Sequence, residues 1–211
     1  MMRVLAALMP LAAALHPRPS CDHPESLARW LLHESDYGVL STACADPLGW
    51  NAGCAYPGGH ITDVASVADG NGTEHSDGVP RFLIPLMDHT GRNLQKDDRI
   101  SITFSEMALG TCPKHGPGST AEDPVCARLT IGGTLSRIEN RSDPQYATSM
   151  AYLIARHPSM KAWMKEGDHD FAPYVMTMHS ICFLYEYGGS YNMSISDFLA
   201  APAWPPSKVD I

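Results

Sequence analysis

No basic cluster occurs anywhere in this 211-residue chain, in which 15 Lys and Arg face 23 Asp and Glu for a net charge of −8. Nucleic-acid binding draws on a concentrated basic surface that displaces counterions from phosphates, so this balance argues against direct contact with DNA or RNA. Beyond the first 15 residues no apolar run is long enough to cross a bilayer, so no membrane span is expected. The chain also lacks G-x-S-x-G, a P-loop, HExxH and a G-x-G-x-x-G placed after a strand, which removes the usual signatures of serine hydrolases, nucleotide binders and zinc proteases. Asp88 and His89 could be combined with Ser101 or Ser105 as a triad, yet nothing in their spacing forces these side chains together. Internal repeats and heptads are absent too, setting aside solenoids and coiled coils.

What is present begins at the N-terminus. Arg3 precedes an apolar run from Val4 to Leu15, and Ala12 and Ala14 are spaced as a signal-peptidase site prefers. A secretory signal peptide is therefore expected within residues 1–20, cleaved after Ala14 or as late as Ser20, because His16-Pro17-Arg18-Pro19 continues a helix poorly. Three N-glycosylation sequons, at Asn71, Asn140 and Asn192, agree with that route and would mark solvent-facing positions. The product is expected to be secreted, with endolysosomal delivery as a variant of the same pathway. A composition of 44% hydrophobic and 18% charged residues suits one substantial core, a single domain over residues 21–200 and a loose Pro-rich tail over 201–211.

Residues 25–34, ESLARWLLHE, carry Leu27, Trp30 and Leu31 on one helical face after Pro24. Period-two or β-rich runs follow at 37–43, 61–69, 81–86, 99–106, 127–139 and 174–187. Pro85 implies an edge or bulge in its strand, and Gly132-Gly133 a bulge or bend. Segment 87–98 has turn chemistry. A second helix is expected from the N-cap Ser142, with Gln145 closing a capping box and His157-Pro158 ending the helix. Together these elements specify a mixed α+β fold, a mainly antiparallel six-stranded barrel with flanking helices.

Cys112, His115 and Cys126 offer three zinc-competent side chains. A structural zinc site uses four, commonly in paired short spacings, and no second such pair exists, so no metal is expected. The other histidines are scattered along the chain. In an oxidising compartment the six cysteines are expected to pair, with 15 arrangements open in principle.

Four stretches, GVPRFLIPLMDHTGRNLQKDDRISITFSE, TCPKHGPGSTAEDPVCARLTIGGTLSRIEN, RHPSMKAW and YEYGG, occur in an order that resembles the CREG family of secreted glycoproteins. The resemblance covers about residues 25–192. It implies a fold like the FMN-binding split barrel of pyridoxamine 5′-phosphate oxidases, with two protomers packed face to face. It also implies a non-enzymatic ligand or regulator of cell growth or differentiation, acting through protein and receptor binding, its flavin pocket obstructed by its own chain. The alternative is an FMN-binding oxidoreductase of that superfamily. In that case Arg81, His89, Thr90, Arg92, Asn93 and Gln95 are the candidates for holding FMN, and the H-T-x-x-N-L-Q stretch is also similar to haem-degrading relatives of the fold. No catalytic residue is assigned, since a fold licenses no activity by itself. The family pattern implies a Cys112–Cys126 disulfide, and closing a loop of this length contributes about 3 kcal/mol on the chain-entropy model. Cys44 and Cys54 flank ADPLGWNAG as a second local bridge. Cys21 and Cys182 remain, either joined to tether the N-terminal segment to the last long strand or with Cys182 as a buried free thiol.

Overall fold

The computed structural model describes residues 15–44, 59–71, 75–114, 118, 120–164 and 169–204. The expected signal peptide through residue 14, Cys54 and His115 lie outside the described residues. Eight strands form one antiparallel sheet: β1 (Tyr37–Ala43), β2 (His60–Ser66), β3 (Ala68–Gly70), β4 (Ser76–Pro85), β5 (Arg99–Ser105), β6 (Arg128–Arg137), β7 (Phe171–Leu184) and β8 (Tyr191–Met193). Their order is β2-β1-β5-β6-β7-β4-β3, with β8 added on β7. The six strands of seven or more residues form the expected barrel, and β3 and β8 are three-residue additions.

Closure follows from connectivity. β2 and β3 are opposite edges of the sheet, yet only Val67 separates them in the chain. Two residues of extended chain span at most about 7 Å, so the sheet must curl until its edges meet at Val67. Val67 is buried there, and its N–H donates to Asp36 O at 3.1 Å. The run expected as one strand over 61–69 is therefore two strands on two edges.

Alternation sets the inside. Leu40 and Thr42 of β1, Ile100, Ile102 and Phe104 of β5, and Leu129, Ile131 and Leu135 of β6 face inward at every second position and are buried. Gly132 faces Ser180 while Gly133 faces Met178, so His179 is the extra residue of a bulge opposite the Gly pair. Pro85 ends β4, where the ladder no longer needs its missing N–H.

Helix α1 (Pro24–Glu34), with Pro24 at its start, lays Leu27, Trp30 and Leu31 into the same core as Phe82, Phe183 and Phe198. Burying each of these side chains contributes about 1.5–3 kcal/mol. A smaller cluster of Leu83, Met150, Leu153 and Met160 sits under α3 (Pro144–Arg156) and the short turn α4 (Met160–Trp163). Asp143, rather than Ser142, caps α3, because Pro144 takes the first helical position, where its missing N–H costs nothing. Helix α2 (His89–Leu94) occupies a segment without apolar periodicity, helix α5 (Ile195–Ala200) turns Ile195 and Phe198 toward the core, and the 3₁₀ turn Glu106–Leu109 follows β5.

Both ends of the described residues are fastened. Arg18 donates to the fully buried Glu106 at 2.6 Å, and Trp30 Nε1 donates to His16 O at 3.0 Å. The tail expected to be loose from residue 201 is held as far as Trp204, with Ala203 buried and Trp204 stacked on His16.

Candidate functional site

Arg81 and residues 89–95 are the side chains that would hold a flavin phosphate, and their surroundings decide whether they can. Arg81, on β4, is 8% exposed. Its Nη2 and Nη1 donate to the two carboxylate oxygens of Asp77 at 2.7 and 2.9 Å, and Nη1 also donates to Val79 O at 2.8 Å. The guanidinium lies over the Tyr152 ring, 4.8 Å from its centroid. This bidentate pairing uses the fork that would otherwise grip a phosphate.

Helix α2 is built by a local cap. Asp88 accepts from Gly91 N at 2.6 Å, and burial, partly offset by that hydrogen bond, raises the Asp88 carboxyl above its ordinary range. A Cβ at residue 91 would run into Pro85 O, so glycine lets the helix lie against the end of β4. Thr90 and Asn93 are consequently buried, and Asn93 donates to Thr42 Oγ1 at 2.9 Å. Arg92 Nε donates to Met87 O at 3.1 Å, and Gln95 is exposed. His89 Nε2 stands 3.1 Å from Asp63 Oδ2, close enough for attraction but not aligned for a hydrogen bond.

Beside this helix is a cavity of about 170 Å³, lined by β2, the outer part of β4, Trp163 and Phe171. Among the described residues its ionisable lining is Asp63 and Asp88, with no Lys or Arg. An acidic, cation-free wall repels a phosphate instead of binding it. A second cavity of about 550 Å³ lies along β1, β2 and β5 and does hold cations, Lys96 and Arg99, with His60 beside them. There Arg99 donates to Asp97 at 2.6 and 2.9 Å, and those hydrogen bonds hold the Asp97 carboxyl down at about 2.

Of the six flavin candidates, residues 89–93 are neighbours on α2, whereas Arg81 turns to Asp77 and Gln95 to solvent. No phosphate clamp forms among the described residues, and FMN does not fit this set. The triad does not assemble either: Asp88 caps α2, and Ser105 Oγ accepts from Met107 N as the cap of the 3₁₀ turn.

The cysteines divide. Cys112 and Cys126 are joined, with Cα atoms 4.7 Å apart, and Cys126 is fully buried at the start of β6. Cys44 is disulfide-bonded, and Cys54, the partner expected for it, lies outside the described residues. Cys21 and Cys182 are free, which corrects the expected tether. Cys21 packs against the core, while Cys182, next to the buried Phe183, points from the outer face of β7, so the sheet separates them. Cys182 is accordingly an exposed thiol, not a buried one.

Sequence reasoning missed one cluster altogether. His16, His33 and Glu34 meet at the end of α1, brought together by the anchored N-terminal segment. The only signal was the His-Glu pair closing an amphipathic helix.

Comparison with known proteins places this architecture. Protein CREG1 of Gallus gallus is 28% identical over 185 residues, which is 87% of this chain and 88% of that protein. Protein CREG1 of Homo sapiens is 29% identical over 178 residues, 84% of this chain and 74% of that protein. Among solved structures, a heme binding protein from Mycobacterium smegmatis superposes with a TM-score of 0.62 at 21% identity, over 89% of this chain and 63% of the mycobacterial chain, just under two thirds of its length. ChuZ of Campylobacter jejuni gives 0.59 at 14% identity, over 91% and 68%. These likenesses show the split-barrel fold of the pyridoxamine-phosphate-oxidase type. The family model for the CREG β-barrel matches residues 19–200, and the chain belongs to that family.

Proposed function

We propose that this chain is a secreted glycoprotein that regulates cell growth or differentiation by being bound, as a homodimer, by a cell-surface or sorting receptor, without turning over a substrate. The observation that carries this reading is the commitment of Arg81 to Asp77, together with a cavity at α2 whose charged lining among the described residues is acidic. Asn71, Asn140 and Asn192 are all exposed, as glycan attachment requires. Packing of His16, Arg18 and Pro19 supports signal cleavage after Ala14 over cleavage at Ser20, since the later cut would discard the partners of Glu34 and Glu106. An exposed apolar cross-strand pair, Val39 at 46% and Val64 at 62%, with Tyr37 at 46% on the same face, offers a surface for the second protomer. No helix among the described residues is long and apolar enough to cross a membrane.

A cofactor reading, with FMN or heme bound and an oxidoreductase activity, is favoured by the fold shared with the mycobacterial heme binding protein. Thermal unfolding separates the two. Protein secreted from a eukaryotic host should melt at the same temperature with and without saturating FMN, whereas a resident flavin would stabilise it by a few kcal/mol at 100 to 1,000 times its Kd. Mass measurement before and after enzymatic glycan removal reads sequon use on the same sample, and an unglycosylated product would sink the secreted-glycoprotein reading.

A further inference from the structure

Helix α1 ends on two consecutive ligand-type residues, His33 and Glu34, and the N-terminal segment lays His16 across them. One nitrogen or oxygen from each of the three lies within 4.8 Å of the other two. Glu34 is anomalous where it stands. A carboxylate in the last turn of a helix faces the negative end of the helix dipole, and this one is 5% exposed. Its carboxylate oxygen is met by His16 alone among the described hydrogen bonds, at 2.6 Å from Nδ1 and 3.3 Å from the backbone N–H. The nearby guanidiniums are turned elsewhere: Arg156 to Glu34 O and Asp36, Arg29 to Ser76 and the carbonyls of Phe198 and Leu199.

A second, independent observation concerns His33, which is 4% exposed. Its Nδ1 is 2.8 Å from Asp69 Oδ1, and the other oxygen of Asp69 accepts from the Ser76 hydroxyl at 2.5 Å. The tautomer whose Nδ1–H donates to Asp69 leaves the lone pair on Nε2. That Nε2 is buried and has no hydrogen-bond partner. One imidazole nitrogen fixed by a carboxylate, with the other presented bare, is the geometry by which a carboxylate orients a metal-binding histidine. Trp204 stacks on His16 at 4.3 Å and lies 4.8 Å from the His33 ring, closing the cluster from the C-terminal side.

We infer that His16, His33 and Glu34 bind a transition-metal dication, with Asp69 positioning His33. Two imidazoles and one carboxylate are the donor set of zinc sites with three protein ligands, and they leave a fourth position for water. The charges of Glu34 and Asp69 match a dication. Donors bonded at about 2.0–2.1 Å to one tetrahedral metal stand about 3.3–3.4 Å apart, so His16 Nδ1 and Glu34 Oε1, 2.6 Å apart, must separate to admit the ion, a movement available to His16, which lies outside regular structure.

The test uses full-length secreted protein without a polyhistidine tag, stripped with a chelator and titrated with zinc chloride by calorimetry and with Co²⁺ by visible absorption. Wild type should take one zinc per chain, melt at a higher temperature when loaded, and give the Co²⁺ spectrum of a nitrogen and oxygen site. His16→Ala and Glu34→Gln should each abolish that stoichiometric binding, and Asp69→Asn should weaken it about 10–100-fold. Circular dichroism and the chelator-treated melting curve establish that each variant is folded. Should Glu34→Gln not fold, His16→Ala and Trp204→Phe suffice, the latter keeping zinc binding while losing part of the fluorescence quenching by Cu²⁺. No binding by wild type, or equal binding by folded His16→Ala, overturns the inference, the latter assigning the metal to surface histidines.

Discussion

Replacing Arg81 by Met and Asp77 by Asn, singly and together, measures how firmly the guanidinium is committed to its carboxylate. Their bidentate contact is 2.7 and 2.9 Å long, between side chains 10% and 30% exposed. Exposed pairs couple by about 0.2–1 kcal/mol. Removing one partner of a fully buried pair costs about 3–5 kcal/mol. With the arginine nearly buried and the aspartate partly so, the coupling should lie between these limits, at about 1–3 kcal/mol. Arg81→Met should cost about 0.5–1 kcal/mol more than the pair alone, through lost contact with the Tyr152 face 4.8 Å away. Equilibrium urea unfolding of the four proteins yields the coupling directly. Additivity within about 0.5 kcal/mol would refute the reasoning, because it would mean that Arg81 is energetically free to serve a ligand.

Arg18→Met strands Glu106, which is fully buried and keeps only its contacts to Ala127 N and Thr111; it should cost about 3 kcal/mol and lower the melting temperature by roughly 6–12 °C in calorimetry. Gly133→Ala drives a Cβ into Thr177 O at the β6–β7 bulge and should destabilise by about 1–3 kcal/mol in urea, whereas an unchanged midpoint would show the strands can part there freely. Asp88 has a raised carboxyl, so the folded state holds its proton more tightly than the unfolded chain does. Stability from that proton is present below the ordinary carboxylate value and lost as pH rises through the folded one. Asp88→Asn keeps a helix-capping oxygen, and wild type should therefore lose stability relative to it on going from pH 3 to pH 6 in paired melting curves.

The barrel was legible because six of its strands announce themselves by alternation or by β-branched runs, and α1 and α3 by apolar spacing. Three-residue strands such as β3 and β8 carry no period to detect. The break at Val67 was invisible for another reason: residues 61–69 contain no glycine or proline to mark a turn, and only barrel closure sends the two halves to opposite edges. Helix α2 read as a turn because HTGRNL has no apolar face, its stability coming from the Asp88 cap and from close packing at Gly91. Ser142 lost the α3 cap to its neighbour through the preference of Pro144 for the first helical position. The flavin candidates on α2 are neighbours in sequence, but nothing local tells that Asp77, four residues from Arg81, takes the guanidinium. The His16, His33, Glu34 and Asp69 cluster draws on separate segments that meet only once the barrel closes, and Trp204 joins it from the far end of the chain.

The visible absorption spectrum of freshly purified, untreated secreted protein tests the central claim most directly. A chain that acts by being bound should be colourless, with no band near 450 nm, about where bound oxidised flavin absorbs, and no Soret band of heme. A stoichiometric flavin or heme spectrum that survives gel filtration would contradict the account.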